Sequence, residues 1–239
     1  MQETVETALA TALRVPVPLT VAGRTDAGVH ATGQVASADV PRAAWQDKGE
    51  RLLARLAGLL PPDVRVRAFR AVPAEFDARF AALWRRYEYR ICDASWGVDP
   101  LRRRFVLGWP RRLDDEAMAE AAAKLRGVHD FAAFCRRREG ATTIRRLDQL
   151  AVERDGAEIT CTVVADAFCH SMVRSLVGAL IAVGEGRRPI GWPTALLSRT
   201  ERANEVTVAA PHGLTLVAVG YPPDHQLAPR VAETRARRG

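Results

Sequence analysis

The chain alternates between two hydrophobic periods, and the switches between them outline its elements. Val5, Leu9 and Leu13 recur at helical spacing, so 2–14 is a predicted helix. Residues 43–59 predict a second, stopped by Pro61 and Pro62. A third spans 113–127, with Asp114 and Asp115 at its start, an alanine-rich body and Gly127 past its end. Elsewhere the period shortens to two. "VPLTVAG" (17–23) and "GQVASADV" (33–40) predict two strands joined by a loop. "VRVRAFRAV" (64–72) alternates strictly and predicts another. In "WRRYEYRIC" (84–92), Tyr87, Tyr89 and Ile91 share one face, while Arg86, Glu88 and Arg90 share the other.

The second part of the chain continues in the same way. Residues 93–113 read as loop, and "CRRREGATTIRR" (135–146) as a basic loop leading into a strand. Residues 159–168 predict a strand, 169–188 a helix, and "GWPTALLSR" a short helix opened by Pro193. "GLTLVAVGYP" (213–222) predicts a last strand. Residues 226–239 form a basic tail with few large apolar side chains, expected to be loose. Helices mixed with antiparallel-looking strands argue an α+β fold: a mixed, mainly antiparallel central sheet flanked by helices. Two parts, 1–78 and 79–225, repeat a similar order of helix, strand and strand without a residue-level repeat.

Composition adds one bias. The 239 residues carry a formal net charge of +7, and Lys48 and Lys124 are the only lysines among 35 basic residues. Arginine is the better phosphate fork and stacks on bases, so a polyanionic partner fits the charge, although charge alone does not separate that from a soluble basic surface. The four cysteines, Cys92, Cys135, Cys161 and Cys169, show no zinc spacing and read as free thiols in a reducing compartment. No charged n-region precedes an apolar stretch at the N-terminus, and the longest apolar run, around 176–183, is too short for a bilayer. The expectation is a cytoplasmic protein that binds neither membrane nor metal.

The chemistry concentrates in "AGRTDAGVHATGQ" (22–34), where Arg24, Asp26 and His30 crowd into seven residues. Gly23 and Gly28 have P-loop spacing, but Val29-His30 follows where that motif needs Lys-Ser/Thr. Neither G-x-G-x-x-G nor G-x-S-x-G occurs there, and nothing in the sequence pairs Asp39 or Asp63 with Asp26 as a second acid. What is left is one carboxylate on a tight turn, with a cation two residues before it. No nucleotide cofactor is implied.

That loop closely resembles the active-site signature of the tRNA pseudouridine synthase A family. The resemblance runs over almost the whole chain: "FDARF" (76–80) with "RRYEYRI" (85–91), "DFAAFC" (130–135), "TTIRRL" (142–147), "AFCHSMVRSLVGAL" (167–180) and "GLTLVAVGYP" are similar to the family's further blocks, in order. It implies the pseudouridine synthase fold, two similar α/β halves with a cleft between them. The N-terminal half, 1–78, would carry the catalytic loop. It departs from the family in lacking a first strand and a "G-W-Q" segment ahead of the helix at Gln2.

The resemblance also implies an activity: isomerisation of uridine to pseudouridine at positions 38, 39 and 40 of the tRNA anticodon stem-loop, by a homodimer without cofactors. Asp26 matches the family's catalytic aspartate. It would add to the base, attack the sugar or abstract a sugar proton, and each role needs an ionised carboxylate in a mostly dry pocket. Arg174 matches the basic residue held near that aspartate and is expected to pair with it. Tyr87 matches the tyrosine that stacks on the target base. Arg24 matches an arginine that helps extrude the nucleotide. Arg79 is a weaker candidate for the pocket wall or the RNA backbone, and His30 reads as structural. Arg102 to Arg104, Arg136 to Arg138 and Arg145-Arg146 are candidate phosphate contacts. The competing readings are a non-catalytic RNA-binding protein on the same fold, and a synthase of this chemistry acting on another RNA.

Overall fold

The computed structural model describes residues 1–136, 140 and 142–236; Arg137 and Arg138 of the basic loop fall outside them. In chain order the regular elements are α1 (Gln2–Leu13), β1 (Thr20–Val21), β2 (His30–Ala31), β3 (Ala36–Ser37), α2 (Arg42–Lys48), α3 (Leu52–Leu59), β4 (Trp84–Cys92), β5 (Leu107–Gly108), α4 (Asp115–Ala123), β6 (Gly127–Asp130), β7 (Ile144–Asp155), β8 (Glu158–Ala165), α5 (Met172–Gly184), α6 (Trp192–Ala195), β9 (Leu214–Gly220) and α7 (Leu227–Ala236). Short 3₁₀ turns link several of them. The expected α+β architecture is what forms.

A seven-stranded sheet runs β2-β9-β4-β8-β7-β6, with β5 against the end of β4. Its ladders are antiparallel except for β2–β9 and β4–β5, which run parallel. The alternating segment 84–92 therefore ends up in the centre. β4 lies between β8 and β9, so Tyr87 faces Val163 on one side and Leu216 on the other. Tyr89 and Ile91 are fully buried, and the Tyr89 hydroxyl donates to Ala210 O at 2.7 Å. α4 and α5 close over this surface: Met118, Ala121, Leu125, Leu176 and Leu180 join the strand residues in one core. A second core holds α1 against α3 through Leu9, Leu13, Leu52 and Leu56. β1 and β3 form a separate two-stranded ribbon.

α5 positions the site. Twelve of its thirteen residues are buried, Arg174 being the exception. A helix apolar all round must be enclosed by protein. Here the enclosure is tight, because a Cβ added to Gly178 would lie 1.7 Å from Thr207 O.

Three expectations are corrected. Residues 64–72 form no strand and pair with none among the described residues. Val64 is buried in the second core, while Phe69 and Val72 stay exposed. Alternation specifies extended chain, and a strand needs a neighbouring ladder as well; here arginines tether the segment instead, Arg67 to Thr32 O and Arg70 to Asp224. The tail expected to be loose from 226 onward is helical over Leu227–Ala236. It buries Leu227, and Arg230 and Arg235 donate to Ala82 O and Asp77, so polar side chains supply the docking that composition did not suggest. Cys135 and Cys169, expected as free thiols, form a disulfide with Cα atoms 5.7 Å apart; a separation of 34 residues hides that proximity. Cys92 and Cys161 are free and buried.

Two stability predictions follow from this packing. Gly178→Ala is expected to cost at least about 1–3 kcal/mol despite alanine's better helix propensity, because the obstacle is backbone; denaturant unfolding measures it. All three tyrosines are pushed above their usual range, chiefly by burial, Tyr87 to about 12 and Tyr89 and Tyr221 further. The unfolded chain then loses these protons first as pH rises past about 10, so stability is intact below that pH and declines above it. Absorbance of tyrosinate at alkaline pH should rise together with unfolding; a separate normal titration in the folded state would contradict the burial.

Candidate active site

Asp26 owes its placement to a turn. Val29 N–H donates to Asp26 O at 3.0 Å, and Gly28, at φ +82°, supplies the left-handed residue that closes it. A Cβ there would also sit 3.0 Å from Pro211 Cγ. The side chain of Asp26 is thereby turned toward the start of α5. Arg174 Nη1 donates to Asp26 Oδ2 at 3.1 Å. Arg174 Nε donates to Ala209 O at 2.7 Å, and Ala209 N–H donates back to Arg174 O at 3.0 Å. The guanidinium is held on two sides before it meets the carboxylate. The pair is only partly exposed, Arg174 at 18% and Asp26 at 29%, so water screens it less than a surface ion pair.

Tyr87 lies on β4 near Asp26, whose charge it feels, opposite a register shift where β9 inserts one extra residue, so that Tyr87 keeps the buried face it shares with Tyr89. It is 8% exposed and meets the Phe168 ring edge-on, with centroids 5.1 Å apart. Burial raises its phenol most; Arg85 opposes that rise and the Asp26 charge adds to it. The hydroxyl is therefore neutral at physiological pH. Arg24 is exposed, two residues before Asp26. The Arg79 guanidinium lies over the Phe80 ring at 5.1 Å, and its backbone carbonyl accepts from Arg85, which also bonds the loop of Asp26. His30 Nε2 lies 2.7 Å from Arg104 O, a structural contact.

Two residues that the sequence did not single out sit in the same place. Arg85, buried on β4, donates to Ala22 O, Arg79 O and Asp166 O at 2.8–3.0 Å. One guanidinium thus ties the loop of Asp26, the segment of Arg79 and the exit of β8. Its signal was available: Arg85 belongs to the buried face of Tyr87 and Tyr89 in the period-two pattern. His170 Nε2 lies 3.3 Å from Asp26 Oδ1. It precedes Arg174 by one helical turn's spacing, but lies outside α5 and gave no periodic signal.

The basic clusters divide between internal and open roles. Arg102 pairs with the part-buried Glu158 at 2.6 Å, whereas Arg104, Arg136 and Arg146 are exposed, Arg146 pairing with Asp148 at the surface at 2.9 Å. No group of three or more His, Cys, Asp or Glu among the described residues is arranged to hold a metal ion. No described helix is long and apolar enough to cross a membrane.

Comparison with known proteins places this arrangement. Residues 121–222 match the family model described as tRNA pseudouridine synthase. Over 239 aligned residues the chain is 56% identical to tRNA pseudouridine synthase A of Streptomyces griseus, covering 98% of this chain and 84% of that protein. It is 58% identical to the protein of that name from Frankia casuarinae, over 100% of this chain and 86% of the relative. The Mycobacterium leprae protein is 51% identical, over 95% and 84%. At this identity over nearly the full chain, the protein belongs to the tRNA pseudouridine synthase A family, a family of isomerases that make pseudouridine in tRNA.

Proposed function

We propose that this chain isomerises uridine to pseudouridine at positions 38, 39 and 40 of the tRNA anticodon stem-loop, with Asp26 as the catalytic carboxylate. The observation that carries the reading is the ion pair of Asp26 with Arg174, built on a tight turn and a buried helix beside Tyr87. Uridine and pseudouridine have the same atoms. The N-glycosidic bond breaks, the uracil turns, and a C-glycosidic bond forms, while the proton displaced from carbon ends on nitrogen. No redox equivalent or phosphoryl donor is needed.

In this reading Asp26 faces the target nucleotide as the negative group of the reaction, whether it adds to the base, attacks the sugar or takes a sugar proton. Arg174 neutralises its charge and fixes its orientation. Tyr87, a neutral aromatic wall, stacks on the extruded uracil; such stacking is worth roughly 1–3 kcal/mol and offsets part of the few kcal/mol needed to leave the stem. Arg24, exposed at the mouth, takes the displaced position or a phosphate. Arg79 serves the rim, where its stacking on Phe80 leaves the guanidinium edge for RNA backbone. The enzyme acts in the cytoplasm as a homodimer, with the RNA held largely through phosphates.

Incubation with unmodified tRNA, followed by mapping of pseudouridine, tests the reading. Wild type should modify the anticodon arm. Asp26→Asn should lose at least about a thousandfold in turnover while still binding tRNA. Arg174→Ala should lower kcat by roughly 10- to 100-fold, as expected for a misoriented catalytic group. RNA binding without product by wild type would make the chain a binding protein, and product confined to another region would reassign the substrate.

A further inference from the structure

The geometry points to His170 as a second positioning residue for Asp26, acting on the oxygen that Arg174 leaves free. The inference rests on the proposed role of Asp26 and extends it to the segment between β8 and α5. Arg174 engages Oδ2 alone. A carboxylate held at one oxygen can still pivot about that contact, which displaces the other oxygen. His170 Nε2 stands 3.3 Å from Oδ1. Contacts at both oxygens define the carboxylate plane, and with it the oxygen lone pairs that remain directed at a substrate.

The imidazole is half exposed, so packing by neighbouring side chains alone does not hold it here. Its backbone and ring are pinned from several directions. His170 O accepts from Arg136 N–H at 3.1 Å, and the preceding Cys169 is bonded to Cys135. The following Ser171 adopts φ 65°, a left-handed conformation shared by only one other non-glycine residue among those described. Such a conformation persists only where its surroundings impose it, and its cost is commonly found at functional sites. Here it swings the Ser171 hydroxyl to within 3.1 Å of His170 Nδ1. With Nδ1 engaged by the hydroxyl, Nε2 is left to face Asp26. Two residues before His170 in the same segment, Phe168 meets Tyr87. The four residues 168–171 therefore touch both the carboxylate and the aromatic wall, and they lead directly into the helix of Arg174.

A donor at the Nε2 position is what this role requires, so two replacements of similar size separate it from packing. His170→Gln keeps an amide N–H near Nε2; His170→Leu keeps volume and removes every donor. In tRNA turnover assays below the melting temperature of each variant, with folding checked by circular dichroism, His170→Leu should lower kcat roughly 10- to 100-fold and leave KM within about twofold, while His170→Gln stays within about threefold of wild type. Equal activity of the two variants, whether both high or both low, overturns the proposal. A readout without catalysis distinguishes this from failure of the proposed function: the imidazole ¹⁵N resonances of His170 should move between wild type and Asp26→Asn. Unchanged resonances overturn the contact even if wild type makes pseudouridine. Moved resonances, in a protein that makes none, support the contact and sink the functional reading alone.

Discussion

A single charged contact between residues 148 positions apart organises the functional end of this protein. Asp26 sits on a turn and Arg174 on a helix whose other residues are all buried. The turn shapes the Asp26 loop locally, but nothing in the sequence near either residue brings the two together. The helix is rigid because it is enclosed, and enclosure leaves its one arginine a single outlet, toward the loop. The same arginine is latched to Ala209 through both its side chain and its backbone, so the cation arrives already oriented. A partly buried ion pair repays its desolvation only when geometry is good and the remaining hydrogen-bonding groups are satisfied. The Ala209 bond and the His170 contact help meet that condition here.

Around this contact the central strand distributes the work. β4 is bonded on both sides along its length, so the side chains it presents are among the best fixed in the molecule. It carries Tyr87 toward the site and Arg85 beneath it. Arg85 binds three carbonyl oxygens from three segments that otherwise have no reason to meet. Burial pulls its guanidinium below the usual value, a sign that the fold holds this cation against a real desolvation cost, with Tyr221, Tyr87 and Asp166 opposing the shift. The arginine bias thus has two uses. Some arginines bind the protein's own backbone and carboxylates, as Arg85, Arg154 and Arg230 do. Others, including Arg24, are exposed to solvent.

The legibility of the sequence followed the source of each element's stability. α4, β4, β8, α5 and β9 were readable because each buries a face or a whole surface, and burial writes a period into the residues. Residues 64–72 carried the period of a strand without the ladder that makes one. Residues 227–236 lacked the apolar period and still fold, because Arg230 and Arg235 dock them through hydrogen bonds and charge. In the site, the motif containing Asp26 pointed to chemistry, and the buried face of β4 marked Tyr87. Arg79 entered through its motif alone, and its guanidinium lies over the Phe80 ring. His170, Cys135 and Cys169 lie inside quoted motif blocks, but those blocks did not show that they meet Asp26 or each other, since both contacts depend on where distant segments cross.

By itself, then, the sequence determined what local physics can encode: which stretches are helical or extended, that the fold is α+β, and that one carboxylate sits on a glycine turn amid motifs resembling a known family. The tertiary structure alone decided which side chains meet. Periodicity constrains a residue relative to neighbours a few positions away, whereas the Asp26, Arg174, His170 and Arg85 contacts are set by the packing of a buried helix against a sheet and the loops those elements deliver.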